Sequence, residues 1–239
     1  MKNQILQELN QNGIYVNDTF FNSVEKENLK KDFSKNVDHF KFEINNFEEI
    51  KKISITLYDF LNRDYIQYIL TKYLNGLPKC RVVLFSETKP QIKKNDQKNI
   101  SEGSLLGFHN DDSGKQIKIN ILLNDLDKDS NGLEYALSSH KISFIDSFLL
   151  RIFKLFGFYK NWDKHFINYQ KNKLFGKKAN FMSEEKVKNK FKISKVYGLS
   201  GLVYIFDTNG FHRQASISSQ DNLNFSRKLI TVYFDTKKN

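Results

Sequence analysis

Residues 116–123 read QIKINILL, and the alternation in this stretch is the strongest constraint on the fold of the chain. Isoleucines alternate here with the polar side chains of Lys118 and Asn120. Because successive side chains of a strand point to opposite faces, a period of two predicts a β-strand with one face buried. Other apolar runs rich in β-branched and aromatic residues predict further strands at 80–86, 105–109, 133–137, 201–206, 215–218 and 228–234.

Apolar residues also recur at helical spacing. In residues 47–74 this spacing predicts one or two amphipathic helices. Residues 142–158 have a wide apolar face and predict a helix packed on the core of its own domain. A short helix at 5–9 and a short strand at 14–16 open the chain. Strands on both sides of a helical segment, with helices before them, indicate one domain of mainly β structure with α-helices packed outside it.

Positive charge is concentrated in one segment. The 239 residues carry a formal net charge of +11, and residues 141–195 contain 14 Lys and Arg against four Asp and Glu, a local net of +10. This basic helical insert at about 141–195 fits an anionic partner: a phosphorylated, CoA-linked or nucleotide-linked substrate, a membrane surface or a nucleic acid. A solvated helical face in a lysine-rich chain explains the same charge, and the sequence leaves both interpretations open.

Cysteine use and the lack of long apolar runs limit where the protein works. Cys80 is the single cysteine, so no intrachain disulfide can form and a reducing cytoplasm is expected. No stretch reaches 18 consecutive apolar residues, the length that a membrane-spanning helix needs. Residues 1–12 are polar and lack the apolar core of a signal peptide. We therefore expect a cytoplasmic protein without a transmembrane segment.

A His-x-Asp pattern offers a metal site. Residues i and i+2 of a strand point to the same side, so His109 and Asp111 can present a nitrogen and a carboxylate oxygen to one ion. Asp112 is a competing carboxylate, but it would point to the opposite face. His212 follows the strand at 201–206, and a returning strand could bring it beside the first pair. Two histidines and one carboxylate form the facial triad of non-haem Fe(II) oxygenases, which leaves coordination positions open.

Arg227 stands at the start of the last strand, where it can serve an acidic co-substrate. Its guanidinium can form paired hydrogen bonds with the distal carboxylate of 2-oxoglutarate. Arg213 is the alternative, but it adjoins His212 and would normally point away from the metal. Lys118 and Asn120 follow the His-x-Asp pair on a strand. Both are candidates for further pocket contacts, and Asn120 is a candidate for binding the co-substrate.

Four ordered segments resemble the phytanoyl-CoA dioxygenase family of Fe(II)- and 2-oxoglutarate-dependent oxygenases: FHND (108–111), NGLEYALSSHK (131–141), GLVYIFDTNGFHRQA (201–215) and SRKLITVYF (226–234). The stretch LQELNQNGIYVND (6–18) is similar to the family's opening helix, glycine turn and short strand. The resemblance covers most of the chain except about 150–195. It implies a single domain over 1–239 with a double-stranded β-helix (jelly-roll, cupin-like) core and flanking helices.

The resemblance also implies roles for individual residues. It assigns the iron ligands to His109, Asp111 and His212, and the co-substrate arginine to Arg227. His140 matches the family's Ser-His segment, and we interpret it as structural. The implied cofactor is Fe(II), and the implied co-substrate is 2-oxoglutarate.

Several positions depart from the family pattern or narrow the reaction. Residues 136–138 read Ala-Leu-Ser where the family usually has Pro-Gly, and the spacing from His212 to Arg227 is a few residues longer. A carboxylate at Asp111, rather than Gly or Ala, favours hydroxylation over halogenation, because a halide needs the vacant position. Tyr233 stands where nucleic-acid demethylating relatives carry a second Arg, so a nucleic-acid substrate is not expected.

These features predict an Fe(II)- and 2-oxoglutarate-dependent dioxygenase that hydroxylates a small molecule with dioxygen, an anionic one if the basic insert binds it. Two alternatives stay open. A cupin-type metalloenzyme would use the same ligands without 2-oxoglutarate, so co-substrate binding separates it from the oxygenase. A non-catalytic basic binding module on the same barrel would show salt-sensitive binding and indifference to loss of His109.

Overall fold

The computed structural model describes residues 1–39, 41–89, 107–111, 116–141, 180–181, 184–215 and 226–236. Within these ranges the helices are α1 (Lys2–Asn12), α2 (Ser23–Asn36), α3 (Glu49–Ile53), α4 (Ile55–Leu61), α5 (Asp64–Leu74) and α6 (Glu184–Lys190). The strands are β1 (Ile14–Asn17), β2 (Lys41–Glu43), β3 (Pro78–Thr88), β4 (His109–Asn110), β5 (Gln116–Leu122), β6 (Leu133–Ala136), β7 (Asn180–Phe181), β8 (Ile193–Val196), β9 (Val203–Asp207), β10 (His212–Gln214) and β11 (Arg227–Thr236). The predicted helix at 142–158 lies outside the described residues, as do Asp112 and parts of the strands predicted at 105–109 and 215–218.

Two antiparallel sheets form the centre of the fold. The larger sheet has the strand order β1-β9-β5-β11-β3-β2, and the smaller sheet has the order β7-β4-β10-β6-β8. Most neighbouring strands are not consecutive in the chain, so the connections cross between the sheets as they do in a jelly roll. The predicted mainly β architecture, a double-stranded β-helix core with flanking helices, is therefore confirmed.

Helices α1 to α5 cover the outer face of the larger sheet. Three isoleucines of β5, Ile117, Ile119 and Ile121, lie in one buried cluster with helical side chains such as Leu9 and Phe60. Full burial of a large apolar side chain stabilises a fold by about 1.5–3 kcal/mol. The isoleucine alternation of β5 therefore marks the main core of the protein.

The inner face of the larger sheet packs against the smaller sheet. Leu122, Tyr204 and Leu229 of the larger sheet share a second buried cluster with Leu133 and Tyr135 of the smaller sheet. Side chains of two sheets that face each other in this way fill the space between them. Polar residues in the middle of this inner face, on the central strand β5, are therefore held inside the protein.

Strand β5 is buried on both faces, so the expectation of a single buried face is wrong. Lys118 is 9% exposed and Asn120 is 5% exposed. Strands β9 and β11 flank them on either side, and the smaller sheet faces them. The polar positions of this central strand consequently point into the interior between the sheets instead of into solvent.

Residues 47–74 form three helices, where the sequence predicted one or two. Ser54 is extended (φ −158°), and its side chain accepts a hydrogen bond from the Leu57 N–H, so α3 ends and α4 begins there. A second break at Arg63 (φ −58°, ψ 132°) separates α4 from α5. Local capping thus divides a segment whose apolar spacing is continuous. Across the described ranges, every helix is too short or too polar to span a bilayer.

The start of the chain is joined to both sheets. Helix α1 ends at Gly13, whose φ of 81° is left-handed and whose added Cβ would lie 2.4 Å from the Tyr135 hydroxyl oxygen. The Asn12 carbonyl accepts a hydrogen bond from the Ser138 N–H at 2.8 Å, and the Gly13 carbonyl accepts one from the Asp207 N–H at 2.9 Å. Helix α1 is therefore fastened to the loop after β6 and to the turn after β9.

The described end of the basic segment belongs partly to the core. Helix α6 covers residues 184–190, and β8 at 193–196 pairs with β6 in the smaller sheet. The core therefore resumes slightly before residue 195, the predicted end of the insert. Strand β10 covers His212–Gln214, and most of the strand predicted at 215–218 lies outside the described residues.

Candidate metal centre

Three potential metal ligands converge on neighbouring strands. His109 and His212 are directly paired across the antiparallel strands β4 and β10, and their ring centroids are 4.7 Å apart. Asp111 follows β4, and its Oδ1 lies 3.5 Å from His109 Nε2 and 3.6 Å from His212 Nε2. One ligand atom from each of the three residues lies within 4.8 Å of the others. The structure thus brings the three residues singled out in the sequence to one point.

Backbone carbonyls fix the orientation of both imidazole rings. The Nδ1 of His109 lies 2.9 Å from the Gly107 carbonyl oxygen, and the Nδ1 of His212 lies 2.9 Å from the Gly210 carbonyl oxygen. A carbonyl can only accept, so each Nδ1 carries the hydrogen and each Nε2 keeps its lone pair. Hydrogen bonds of this kind hold the tautomer and the ring orientation that a metal ligand requires.

The turn after β9 positions two of the three candidate ligands, Asp111 and His212. Tyr135 donates its hydroxyl hydrogen to the Asp207 carbonyl at 2.9 Å. A Cβ added to Gly210 would lie 1.9 Å from the same hydroxyl oxygen, so this position requires glycine. The Asp111 N–H donates to the Thr208 carbonyl at 3.0 Å. The turn therefore sets the carboxylate and the second histidine relative to each other.

Buried charge determines the protonation of the cluster. The Lys118 ammonium pairs with Asp111 Oδ2, while Oδ1 faces the two histidines. Burial alone would raise the pKa of Asp111, but Lys118 and the imidazoles of His212 and His109 hold that pKa well below its usual value. Burial lowers the pKa of His212 to about 3. Near neutral pH the site therefore offers an ionised carboxylate and a neutral His212 imidazole, the forms that bind metal ions.

The depressed pKa of His212 predicts an acid-sensitive apoprotein. In the unfolded chain this histidine has a pKa of about 6.5, so between that pH and about 3 the unfolded state binds the extra proton. The contribution of His212 to the free energy of unfolding is therefore fully present above pH 6.5 and decreases as the pH falls below that value. We expect chelator-treated protein to lose about 2 kcal/mol from this residue between pH 8 and 5 in urea unfolding. His212→Gln should show a correspondingly shallower pH dependence, and an unchanged slope would contradict the assignment.

The inner face of β11 carries a buried arginine, two of whose nitrogens lack hydrogen-bond partners among the described residues. Arg227 is 9% exposed, and neither its Nε nor its Nη1 has a hydrogen-bond partner among the described residues. It opens β11 opposite Thr88 of β3, two positions before the inward Leu229. Burying a cation without a counter-charge costs free energy, and buried polar groups normally have partners. The guanidinium is therefore poised for an acidic ligand.

Tyr204 and Asn120 lie near this guanidinium. They are directly opposite each other on β9 and β5, and Thr231 of β11 completes the row. Burial raises the pKa of Tyr204, whereas the Arg227 charge and a hydrogen bond from Asn120 oppose that rise. Asn120 Oδ1 has no partner within the described ranges, so the amide NH₂ makes this bond. The Tyr204 hydroxyl thus accepts from Asn120 and keeps its own hydrogen for another acceptor.

Two residues considered in the sequence lie away from the cluster. Arg213, the alternative to Arg227, forms ion pairs with Glu134 (2.6 Å, Nε to Oε2) and Glu184 (2.9 Å, Nη1 to Oε2). The Nε2 of His140 lies 3.3 Å from a backbone carbonyl oxygen of α1. Arg213 thus has its own carboxylates, and His140 contacts the helix that begins the chain.

No protein-family model and no curated protein match the chain, but solved structures share its fold. AviO1 from Streptomyces viridochromogenes Tue57 matches at a TM-score of 0.59 and 11% identity, over 99% of this chain and 96% of its own. HygX from Streptomyces hygroscopicus, crystallised with nickel and 2-oxoglutarate, matches at 0.58 and 12%, over 98% and 86%. EctD from S. alaskensis, crystallised with 2-oxoglutarate and 5-hydroxyectoine, matches at 0.60 and 13%, over 98% and 75%. At these identities the likeness establishes the jelly-roll fold.

Proposed function

We propose that the protein is an Fe(II)- and 2-oxoglutarate-dependent dioxygenase that hydroxylates a small molecule. The observation that carries this proposal is the buried guanidinium of Arg227, which lacks partners for two of its nitrogens in the described part of the chain. A metal site needs no such arginine, whereas a dicarboxylate co-substrate does. The presence of 2-oxoglutarate in crystals of HygX and EctD supports the same function.

The donor set of the cluster fits Fe(II). Two imidazole nitrogens and one carboxylate oxygen are the ligands of non-haem Fe(II) oxygenases, and a protein that supplies three ligands leaves positions for co-substrate and dioxygen. His109 and His212 would bind through Nε2, since each Nδ1 is bonded to a carbonyl. Asp111 would bind through Oδ1, the oxygen that faces both rings.

The inner face of the larger sheet fits the distal carboxylate of 2-oxoglutarate. Arg227 has an Nε–H and Nη1–H groups without partners among the described residues, on opposite edges of its guanidinium. Either edge, together with an Nη2–H, can form a pair of charge-assisted hydrogen bonds with one carboxylate. Tyr204 can donate a third hydrogen bond, because Asn120 already occupies its oxygen as a donor. Asn120, which the sequence suggested as a co-substrate contact, would thus act by orienting Tyr204.

The surroundings of the metal ligands suit oxidation chemistry away from bulk water. Bound Fe(II) with 2-oxoglutarate supplies dioxygen activation that converts a substrate C–H bond to an alcohol, with release of succinate and carbon dioxide. Phe206 packs edge-on to the His212 ring at 5.0 Å between centroids, and Tyr135 stacks near it at 6.4 Å. These rings keep solvent from one side of the ligand set, which protects a reactive centre from side reactions.

We further propose that the protein belongs to the phytanoyl-CoA dioxygenase family and that its substrate is anionic. The order of the motifs around His109, His212 and Arg227 supports the family, and the basic charge of 141–195 supports an acidic substrate. The proposal includes a cytoplasmic location, because Cys80 is a free, buried thiol and the sequence has no second cysteine with which to form a disulfide.

An anaerobic titration tests the proposed function. Adding 2-oxoglutarate to Fe(II)-loaded protein should produce the weak visible charge-transfer band of a keto acid bound to the metal. His109→Ala should abolish the band, because one of three ligands is lost, while His140→Ala should keep it. Succinate formation under air, measured in parallel, should follow the same order among the three proteins.

Two results would redirect the proposal. A folded wild-type protein that binds Fe(II) but gives no band would favour the cupin-type metalloenzyme that does not use 2-oxoglutarate. A protein that binds neither Fe(II) nor 2-oxoglutarate would favour a binding module. Circular dichroism of each variant separates these results from a failure to fold.

A further inference from the structure

A buried lysine contacts the carboxylate of the candidate metal site. Lys118 lies on β5 with its side chain in the interior, and its ammonium pairs with Asp111 Oδ2. The other carboxylate oxygen, Oδ1, is the one that faces His109 and His212. The two oxygens of this carboxylate therefore have different neighbours, a cation on one side and two imidazole nitrogens on the other.

Aromatic rings on both neighbouring strands hold this lysine in place. Tyr233 of β11 and Phe206 of β9 are the direct cross-strand partners of Lys118. The Lys118 Nζ lies 4.7 Å from the Tyr233 ring centroid and 5.7 Å from the Phe206 ring centroid. Cation–π contacts offset part of the cost of burying an ammonium group. The row Tyr233–Lys118–Phe206 thus keeps the ammonium directed at the carboxylate.

We propose that Lys118 is a positioning residue that restricts Asp111 to a single metal-binding oxygen. This inference rests on the proposed function, because it concerns how many coordination positions the protein leaves to 2-oxoglutarate and dioxygen. A carboxylate can bind a cation through one oxygen or both. Asp111 Oδ2 has no hydrogen-bond partner among the described residues, and its ion pair with the Lys118 ammonium would hold this oxygen away from the metal.

The positive charge of Lys118 is expected to favour binding of the co-substrate and to disfavour binding of the metal. An ammonium group close to the ligand set repels a divalent cation, and in a buried site this repulsion is weakly screened. A site selected for metal affinity alone would place a neutral hydrogen-bond donor there. The lysine instead keeps one coordination position open for 2-oxoglutarate or dioxygen, and this gain in co-substrate binding offsets the lower metal affinity.

Substitution of Lys118 by methionine separates these effects. Methionine keeps the length of the stem between the two rings but removes the ammonium group. We expect Lys118→Met to bind Co(II) or Fe(II) at least as tightly as the wild type in calorimetry. Its affinity for 2-oxoglutarate should fall by roughly tenfold, which corresponds to about 1.4 kcal/mol. The charge-transfer band should also shift in energy, because Asp111 would then use both oxygens.

Three further proteins complete the experiment. Lys118→Arg should recover most of the 2-oxoglutarate affinity and the band position, because it restores a cationic donor. Lys118→Gln gives a second uncharged variant if the methionine protein folds poorly. Lys228→Met is the matched control: it lies on the adjacent strand β11, where its side chain points to the opposite face from Arg227.

The outcomes distinguish this inference from the function on which it rests. If Lys118→Met matches the wild type in 2-oxoglutarate affinity and band energy, Lys118 is only a buried ion-pair residue and the inference is wrong. A fall in metal affinity with unchanged 2-oxoglutarate affinity would also overturn it. If the wild type itself gives no band, the proposed function fails and this inference fails with it, whereas a wild-type band that is unchanged in Lys118→Met overturns this inference alone.

Discussion

Replacing His212 with alanine should abolish tight metal binding while leaving the protein folded. The structure offers three ligand atoms, and this substitution removes the most buried of the three side chains. We expect the dissociation constant for Co(II) or Fe(II) to rise on the order of 1000-fold, since losing only an outer hydrogen-bond partner already costs about 10–100-fold. Calorimetric titration measures the affinity, and succinate release should fall to the background of metal-free protein.

His140→Ala is the control for this loss. It removes the same side chain from the loop after β6, where the ring contacts α1 instead of the ligand cluster. Its metal affinity should stay within about twofold of the wild type, a difference well below 1 kcal/mol. Metal binding by His212→Ala within a few-fold of the wild type would show that the cluster of His109, Asp111 and His212 is not the metal site.

Arg227→Met should change two properties in opposite directions. It should weaken 2-oxoglutarate binding by about 3 kcal/mol, on the order of 100-fold, because a buried charged pair with the co-substrate is lost. The same change should stabilise the ligand-free protein by about 1–3 kcal/mol, since the guanidinium is buried and partly unpartnered within the described ranges. Anaerobic titration and urea unfolding measure the two effects on one preparation.

Two companion variants sharpen this test. Arg227→Lys keeps a positive charge but loses the planar fork, so its 2-oxoglutarate affinity should lie between those of the wild type and the methionine variant. Lys228→Met removes a cation from the next position of β11 and should change neither property appreciably. A ligand-free Arg227→Met protein that is destabilised would mean that the arginine supports the fold, and the co-substrate assignment would lose its main support.

The approach of His109, Asp111 and His212 to one another was predictable because it depends on local rules. Strand geometry places side chains at i and i+2 on one side. The turn that ends at Gly210, just before His212, indicates a returning strand. Arg227 could be predicted for a similar reason, because it begins an apolar run that is clearly a β-strand. Each of these inferences needs only the order of the segments and the alternation of side chains between the two faces of a strand.

The contribution of the inner face of β5 was harder to predict. Alternation in QIKINILL reveals which residues share a face, but it does not reveal that a second sheet covers the polar face. Lys118 and Asn120 were candidates without an orientation, and their contacts with Asp111 and Tyr204 depend on strand pairing between distant segments. Tyr204 itself was not singled out, although it alternates with Phe206 in a buried strand.

Local breaks in the helical region were missed for a different reason. Apolar spacing runs through Ser54 without interruption, so periodicity favours fewer helices than the structure has. The side chain of Ser54 accepts a hydrogen bond from the Leu57 N–H and caps the next helix, so one continuous helix does not form. Capping depends on one side chain and one N–H, and a pattern averaged over several turns does not resolve it.

The attachment of α1 has a consequence for the redesign of this protein. The hydrogen bond from the Asp207 N–H to the Gly13 carbonyl ties the first helix to the turn that carries His212. A barrel trimmed to its strands would lose this hydrogen bond, which supports the turn before the candidate ligand His212. The smallest working version of the protein therefore includes its opening helix, and fused partners are better placed elsewhere than within residues 1–13.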